Sequence, residues 1–196
     1  EIRVFDGAGG EWCARIASIG RNEVTLDMGA ALVAAPKAEP PLTLAVALPK
    51  GERQKWLVEK LTELGVARLV PLVTARGVAE ATPAAVERLR RTVIEACKQC
   101  GRSVLMEIAE PATVSAALAA LPAGGRAILC DPAGPPLDAA ALATAAAVLG
   151  LVGPEGGFVP EEVAAAVATD AVRARLGPHV MRVETAAVTL AARLQR

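Results

Sequence analysis

From residue 42 onward, short apolar runs alternate with segments whose apolar positions recur at helical spacing. The runs fall at 42–48, 68–72, 105–108, 126–130, 148–152 and 172–176. The run at 42–48 carries no charged residue and predicts a buried strand, and the others predict strands too. Between them the spacing predicts helices over 52–64, 82–100, 114–121, 137–147, from 160, and over 184–194. The first carries Trp56, Leu57, Lys60, Leu61 and Leu64 at helical spacing and stops at Gly65. The second opens at Thr82-Pro83 and closes at Gly101, and Pro160-Glu161-Glu162 puts proline and two acids in a first turn. Strands and helices in strict alternation predict an α/β fold, with a largely parallel sheet covered on both faces.

Residues 1–36 have a different texture. Arg3-Val4-Phe5 precedes a turn cluster, Asp6 to Gly10. Trp12, Ala14, Ile16 and Ser18 then share one face, and Val24, Leu26 and Met28 another. Three short strands predict part of a small sheet or barrel, joined to the rest by a proline-rich linker at 36–41. The chain opens inside a strand, and the expectation is that its natural start lies upstream.

Composition narrows the class. In 196 residues, 53% are hydrophobic and 21 basic residues balance 21 acidic ones, the opposite of a disordered chain. Alanine, at 43 residues, makes a core of small side chains that needs closely packed elements. The longest uncharged run, 139–154, is 16 residues with two internal glycines, short of the roughly 20 a spanning helix needs. Glu1-Ile2-Arg3-Val4 has no apolar signal region. Cys97 and Cys100 form a C-x-x-C, but Cys13, Cys130 and His179 are scattered, so reduced thiols of a cytoplasmic protein are expected and no metal site.

Ligands of open α/β sheets bind at the carboxyl ends of strands. Three loops qualify: Leu129-Cys130-Asp131-Pro132, then 153–158, then 176–185. In the second, Gly153-Pro154-Glu155-Gly156-Gly157-Phe158 lets a ligand approach the backbone closely. Glu155, Glu161 and Glu162 disfavour phosphate there, and neither dinucleotide nor triphosphate glycine motifs occur. A neutral or cationic nucleoside such as S-adenosylmethionine suits the loop better; a plain strand-to-helix turn is the competing reading. The third loop holds the only histidine, His179, with Arg182 and Glu184, either a salt bridge or an electrostatic pair beside a substrate. Basic residues cluster at Lys50, Arg53 and Lys55, at Arg76, and along Arg88 and Arg91. They are candidate RNA phosphate contacts, or else a solvated helix face. With 2% aromatics, a bound base would be held by shape and hydrogen bonds more than by stacking.

Four segments together resemble one family. They are Leu48-Pro49-Lys50-Gly51 with 59–66 and Pro71-Leu72; Ile94 to Arg102; Leu151 to Phe158; and Leu176 to Ala186. In order and spacing they are similar to the ribosomal RNA small-subunit methyltransferase E group of the SPOUT, or trefoil-knotted, methyltransferases. The resemblance implies a knotted parallel-sheet domain over 42–196 and an incomplete PUA-like RNA-binding barrel over 1–36. It implies methyl transfer from S-adenosylmethionine to N3 of a uridine in 16S rRNA by a homodimer acting on the small ribosomal subunit. Gly153, Pro154, Glu155, Gly156 and Gly157, with Leu176, Gly177, Val180, Met181, Arg182 and Thr185, match the family's cofactor loops. Leu129, Cys130 and Asp131 complete that pocket by position. Arg102 and Arg182 match signature arginines, and either would stabilise charge on the uracil, with Glu184 as base or orienting partner. His179 and Val183 stand where the family commonly has arginine and threonine. That departure keeps a second reading open, an RNA-binding assembly factor without catalysis.

Overall fold

A computed structural model of the chain describes residues 1–32, 40–78 and 81–195, so the expected linker lies mostly outside the described residues. The first three strands, β1 (Ile2–Phe5), β2 (Glu11–Ile19) and β3 (Val24–Ala31), form an antiparallel sheet in the order β1-β2-β3. Register shifts between Trp12 and Ala14 and between Ile16 and Ser18 interrupt the expected alternation. Ala14 is buried, while Ile16, Ile19, Val24 and Met28 are exposed. This sheet reaches the rest of the chain through backbone bonds: Leu105 N donates to Gly7 O at 2.9 Å and Gly9 N to Ser103 O at 3.2 Å.

The remaining elements are β4 (Leu42–Val46), α1 (Glu52–Glu63), β5 (Arg68–Val73), α2 (Pro83–Cys100), β6 (Glu107–Ile108), β7 (Ala112–Thr113) and α3 (Val114–Ala119). They continue as β8 (Arg126–Cys130), β9 (Val148–Val152), α4 (Pro160–Val167), β10 (Val172–Ala174) and α5 (Val183–Leu194). The strands form one sheet in the order β10-β8-β9-β4-β5-β6, with β7 also on β5, and every pairing is parallel. The expected α/β class and parallel sheet are therefore observed.

Capping residues set the helix ends. Thr82 Oγ1 accepts from Ala85 N, Pro83 begins α2, and Gly101 ends it in the left-handed conformation at φ 75°. The sheet buries both faces. Leu44 and Val46 of β4 pack with Leu57, Leu61, Val86, Val93 and Leu190 under α1, α2 and α5. Ala45 points the other way and packs with Leu72, Leu118, Leu129, Leu151 and Ala166 under α3 and α4. β9 is buried at every position. A Cβ at Gly150 would lie 2.7 Å from Leu44 Cδ2 and closer still to Leu190 Cδ2, so the missing side chain is what lets α5 lie against the sheet.

Three expectations are corrected. No helix fills 137–147; the segment holds one 3₁₀ turn, Ala140–Leu142. Its ends are already committed: Leu137 N bonds Arg175 O, Ala146 N bonds Gly124 O, and Arg126 N bonds Ala147 O. These tertiary bonds override alanine's helix propensity over a span too short to hold a helix alone. The strand expected at 105–108 is reduced to Glu107–Ile108, because Leu105 pairs with Gly7 instead. The strand expected at 172–176 ends at Ala174, since Arg175 turns to bond Pro135 O. Trp56 is also 44% exposed, on the outer side of α1.

Gly150→Ala is expected to destabilise the protein by about 1–3 kcal/mol through overpacking. Urea denaturation followed by circular dichroism measures this; an unchanged midpoint would mean that α5 can shift without cost.

Candidate active site

The order β10-β8-β9 makes the chain pass from β8 to β9 and then cross back over β8 to reach β10. The loops leaving these three strands therefore converge at one carboxyl edge of the sheet. They enclose a cleft of about 250 Å³. From the β8 end it takes Leu129, Cys130, Asp131 and Pro132. From the β9 end it takes Val152, Gly153, Pro154, Glu155, Gly157 and Phe158. From the β10 end it takes Arg175, Leu176, Gly177, His179, Val180 and Met181, and Val163, Val183 and Ala186 add helix faces.

Local chemistry shapes each wall. Gly157 N donates to Pro154 O at 2.8 Å, and Gly157 takes φ 71°, which closes a tight turn. The Phe158 ring lies over Gly153, about 3.0 Å from where a Cβ would stand. Met181 folds over Gly177 in the same way, its Cε 2.6 Å from a would-be Cβ. Glu162 bends back so that its carboxylate accepts from Val159 N and Ala75 N, both at 2.9 Å. That carboxylate occupies the Val159 donor at the start of α4, so a phosphate would meet negative charge there.

Asp131 accepts from Ala133 N at 2.9 Å and from Arg173 Nε at 2.8 Å. Burial works to raise the Asp131 carboxyl, but the Ala133 N–H and the Arg173 guanidinium outweigh it and hold the group below its usual value. Burial pushes the Cys130 thiol up to about 12, so it faces the cleft as a neutral, weakly nucleophilic group.

The cofactor residues expected from sequence thus come together in the cleft wall, with three exceptions. Gly156 turns its carbonyl away to accept from Arg76 Nη1 at 2.6 Å. Thr185 is exposed on the first turn of α5, off the cleft lining. Arg182 caps α5 between Met181 and Val183, which both line the cleft; its guanidinium is exposed and pairs with none of the described residues.

The other two residues expected in catalysis lie elsewhere. Arg102 Nη1 donates to Thr62 O at 3.0 Å, beside the end of α1, where Ala67 N bonds Leu42 O. That is the amino edge of the sheet, opposite the cleft, and burial lowers this guanidinium from its ordinary value. Glu184 is 7% exposed and pairs with Arg53 Nη1 at 3.6 Å rather than with Arg182. Its Oε2 is buried without a hydrogen-bond partner among the described residues.

The basic residues expected to contact RNA do not form a single set. Arg53 Nη1 also lies 3.5 Å from Glu155, and Arg76 holds Gly156. Lys50 is exposed before α1, and Lys55 pairs with Glu59 at 3.9 Å. Arg88 and Arg91 are exposed on α2, with Arg91 3.7 Å from Glu87. Val163 and Arg175 line the cleft with nothing in the sequence that singles them out, and Phe158 enters it as the last residue of the glycine-loop segment. Arg175 lies at a strand end; only that position could have marked it.

At pH 8, iodoacetamide is expected to label the exposed Cys13 and Cys100 and to leave Cys130 unmodified. Peptide mass spectrometry reads the outcome; rapid labelling of Cys130 would show an ionised thiol in the cleft.

Comparison with known proteins agrees with this geometry. The family described as "RNA methyltransferase domain" matches residues 36–195. A Rickettsia conorii protein named ribosomal RNA small subunit methyltransferase E is 28% identical over 200 residues, covering 99% of this chain and 80% of its own length. The Synechocystis protein of the same name is 31% identical over 93% of this chain, and the chain spans 61% of that relative. A solved methyltransferase from Legionella pneumophila, in complex with the cofactor SAM, superposes with a TM-score of 0.86 at 27% identity, over 98% of this chain and 81% of that one. The chain belongs to the RNA methyltransferase domain family and is similar, within it, to the ribosomal RNA small subunit methyltransferase E proteins.

Proposed function

We propose that this protein transfers a methyl group from S-adenosylmethionine to N3 of a uridine in 16S rRNA of the small ribosomal subunit. The observation that carries the proposal is the convergence of three strand-end loops on one cleft in a chain of the RNA methyltransferase domain family. The cleft suits the donor chemically. Leu129, Val152, Phe158 and Leu176 offer apolar walls to an adenosine. Bound there, the donor supplies a methyl group on a sulfonium.

What this chain's own residues do follows from the chemistry of uracil. N3 lies between two carbonyls and carries a proton that must pass to solvent water before the nitrogen can be alkylated. The charge then spreads onto O2 and O4. Arg182, exposed beside the cleft and without a partner among the described residues, is the guanidinium placed to stabilise that charge, in preference to Arg102. Glu184 serves as an anchor for Arg53 rather than as the base. The cleft walls contribute proximity, by fixing donor and acceptor in line.

The same reading includes a knotted carboxyl-terminal unit over 42–196 and a PUA-like RNA-binding unit over 1–36. It also includes a homodimer working in the cytoplasm. Lys50, Lys55, Arg88 and Arg91 are its RNA contacts. Among the described residues no helix is long and apolar enough to cross a membrane.

Incubating the protein with S-adenosylmethionine and unmodified 30S subunits is expected to yield 3-methyluridine by nucleoside mass spectrometry. No methylated nucleoside, together with no heat on titrating the donor, would instead favour an RNA-binding assembly factor. Arg182→Ala is expected to lower turnover on 30S subunits about 10²–10³-fold while the donor Kd moves less than about threefold. Wild-type turnover in that variant would remove Arg182 from the mechanism.

A further inference from the structure

Two arginines that the sequence groups with the RNA contacts do something different in the fold. Arg53, in the first turn of α1, sets one nitrogen between two carboxylates: Nη1 is 3.5 Å from Glu155 and 3.6 Å from Glu184. Glu155 belongs to the glycine loop, and Glu184 to the first turn of α5. Arg53 therefore links the glycine loop to the start of α5, two segments of the cleft wall, from a third element that contributes nothing to the lining. Arg76 acts on the neighbouring residue. Its Nη1 donates to Gly156 O at 2.6 Å, and its stem packs on Gly156, with Cδ 3.2 Å from a would-be Cβ. The preceding residue bonds the helix that follows the loop, since Ala75 N donates to Glu162 Oε1 at 2.9 Å.

The glycine loop needs such support. Gly153, Gly156 and Gly157 have no side chains with which to pack, and a glycine-rich segment loses more conformational entropy on ordering than any other. The loop keeps its shape through one internal turn, Gly157 N to Pro154 O, and the bonds it receives from outside. Glu184 needs support for a different reason. Glu184 is 7% exposed, and Arg53 is its one ion-pair partner among the described residues. A buried carboxylate that loses its cation is strongly penalised.

We propose that Arg53 and Arg76 are positioning residues that brace the glycine loop from behind, so that donor affinity depends on two side chains outside the cleft lining. The inference rests on the donor-binding reading of the cleft and names what holds that site in shape.

The test is donor binding without RNA. S-Adenosylmethionine is titrated calorimetrically into wild type, Arg53→Ala, Arg53→Lys and Arg76→Ala, at a temperature where circular dichroism shows each variant folded. Both alanine variants are expected to bind about tenfold more weakly, the scale of one lost charged contact. Arg53→Lys is expected to return to within about threefold, because an ammonium can still sit between two carboxylates. In the same alanine variants, hydrogen exchange of the Gly157 amide, which bonds Pro154 O, is expected to speed up while that of Leu149 and Leu151 in β9 stays at the wild-type rate. A general loss of stability would raise exchange at all three. Unchanged donor affinity, with weaker binding only to 30S subunits, would overturn the brace and return both arginines to the RNA contacts. If wild type itself binds no donor, the donor-binding reading fails, and the exchange measurement decides the brace by itself.

Discussion

The absent side chain at Gly150 is the constraint on which the rest of the architecture hangs. β9 is the innermost stretch of the carboxyl half, buried along its whole length between two helical layers. α5 can settle against it because Leu190 fills the space above Gly150. From the end of β9 springs the glycine loop, and the first turn of α5 brings Val183 and Ala186 to the same edge. A bulkier residue in the strand would push α5 outward and open the cleft. A core rich in alanine and valine suits this arrangement, since small side chains allow helices to approach the sheet closely and leave little slack for repacking.

Charge is distributed on the same principle of close approach. The chain is neutral overall, yet its charges are paired by location. Glu155 and Glu184 meet Arg53, Asp131 meets Arg173, and Glu162 meets backbone donors. Exposed pairs such as Lys55 with Glu59 contribute little. The pair that matters is the one with Glu184, because a carboxylate so far from solvent depends on its partner. Arg182, by contrast, is left exposed and unpaired among the described residues, as a group must be if it is to meet a substrate.

Much of this was legible in the chain, and for identifiable reasons. The stretches 127–130 and 148–152 are apolar and each ends at a polar or glycine-rich stop, and α2 is bracketed by Thr82-Pro83 and Gly101. Such signals are local, so they survive without knowledge of the fold. The cleft was foreseeable because ligands in parallel sheets gather where strands end, and the resemblance pointed to the same loops. What was hidden depends on partners distant in sequence. The alanine-rich stretch at 137–147 reads as a helix until Arg175, Gly124 and Arg126 claim its ends. Arg53 and Arg76 read as two more members of a basic cluster, since nothing near them in the chain announces Glu155, Glu184 or the carbonyl of Gly156. Arg102 shares a signature with the family, but its guanidinium ties α1 and α2 together at the far edge of the sheet.

The last turn of α5 carries one more implication. Arg193 reaches Leu176 O at 3.2 Å and Leu137 O at 2.9 Å, and Leu176 is part of the cleft wall. The helix thus touches that wall at both ends, through Val183 and Ala186 at its start and through Arg193 near its finish. It behaves as a strut of fixed length. Deleting one residue within it would rotate everything beyond by about 100° and turn Arg193 off its carbonyls. Substitutions on its outer face should therefore be far better tolerated over evolutionary time than any change in the number of its residues.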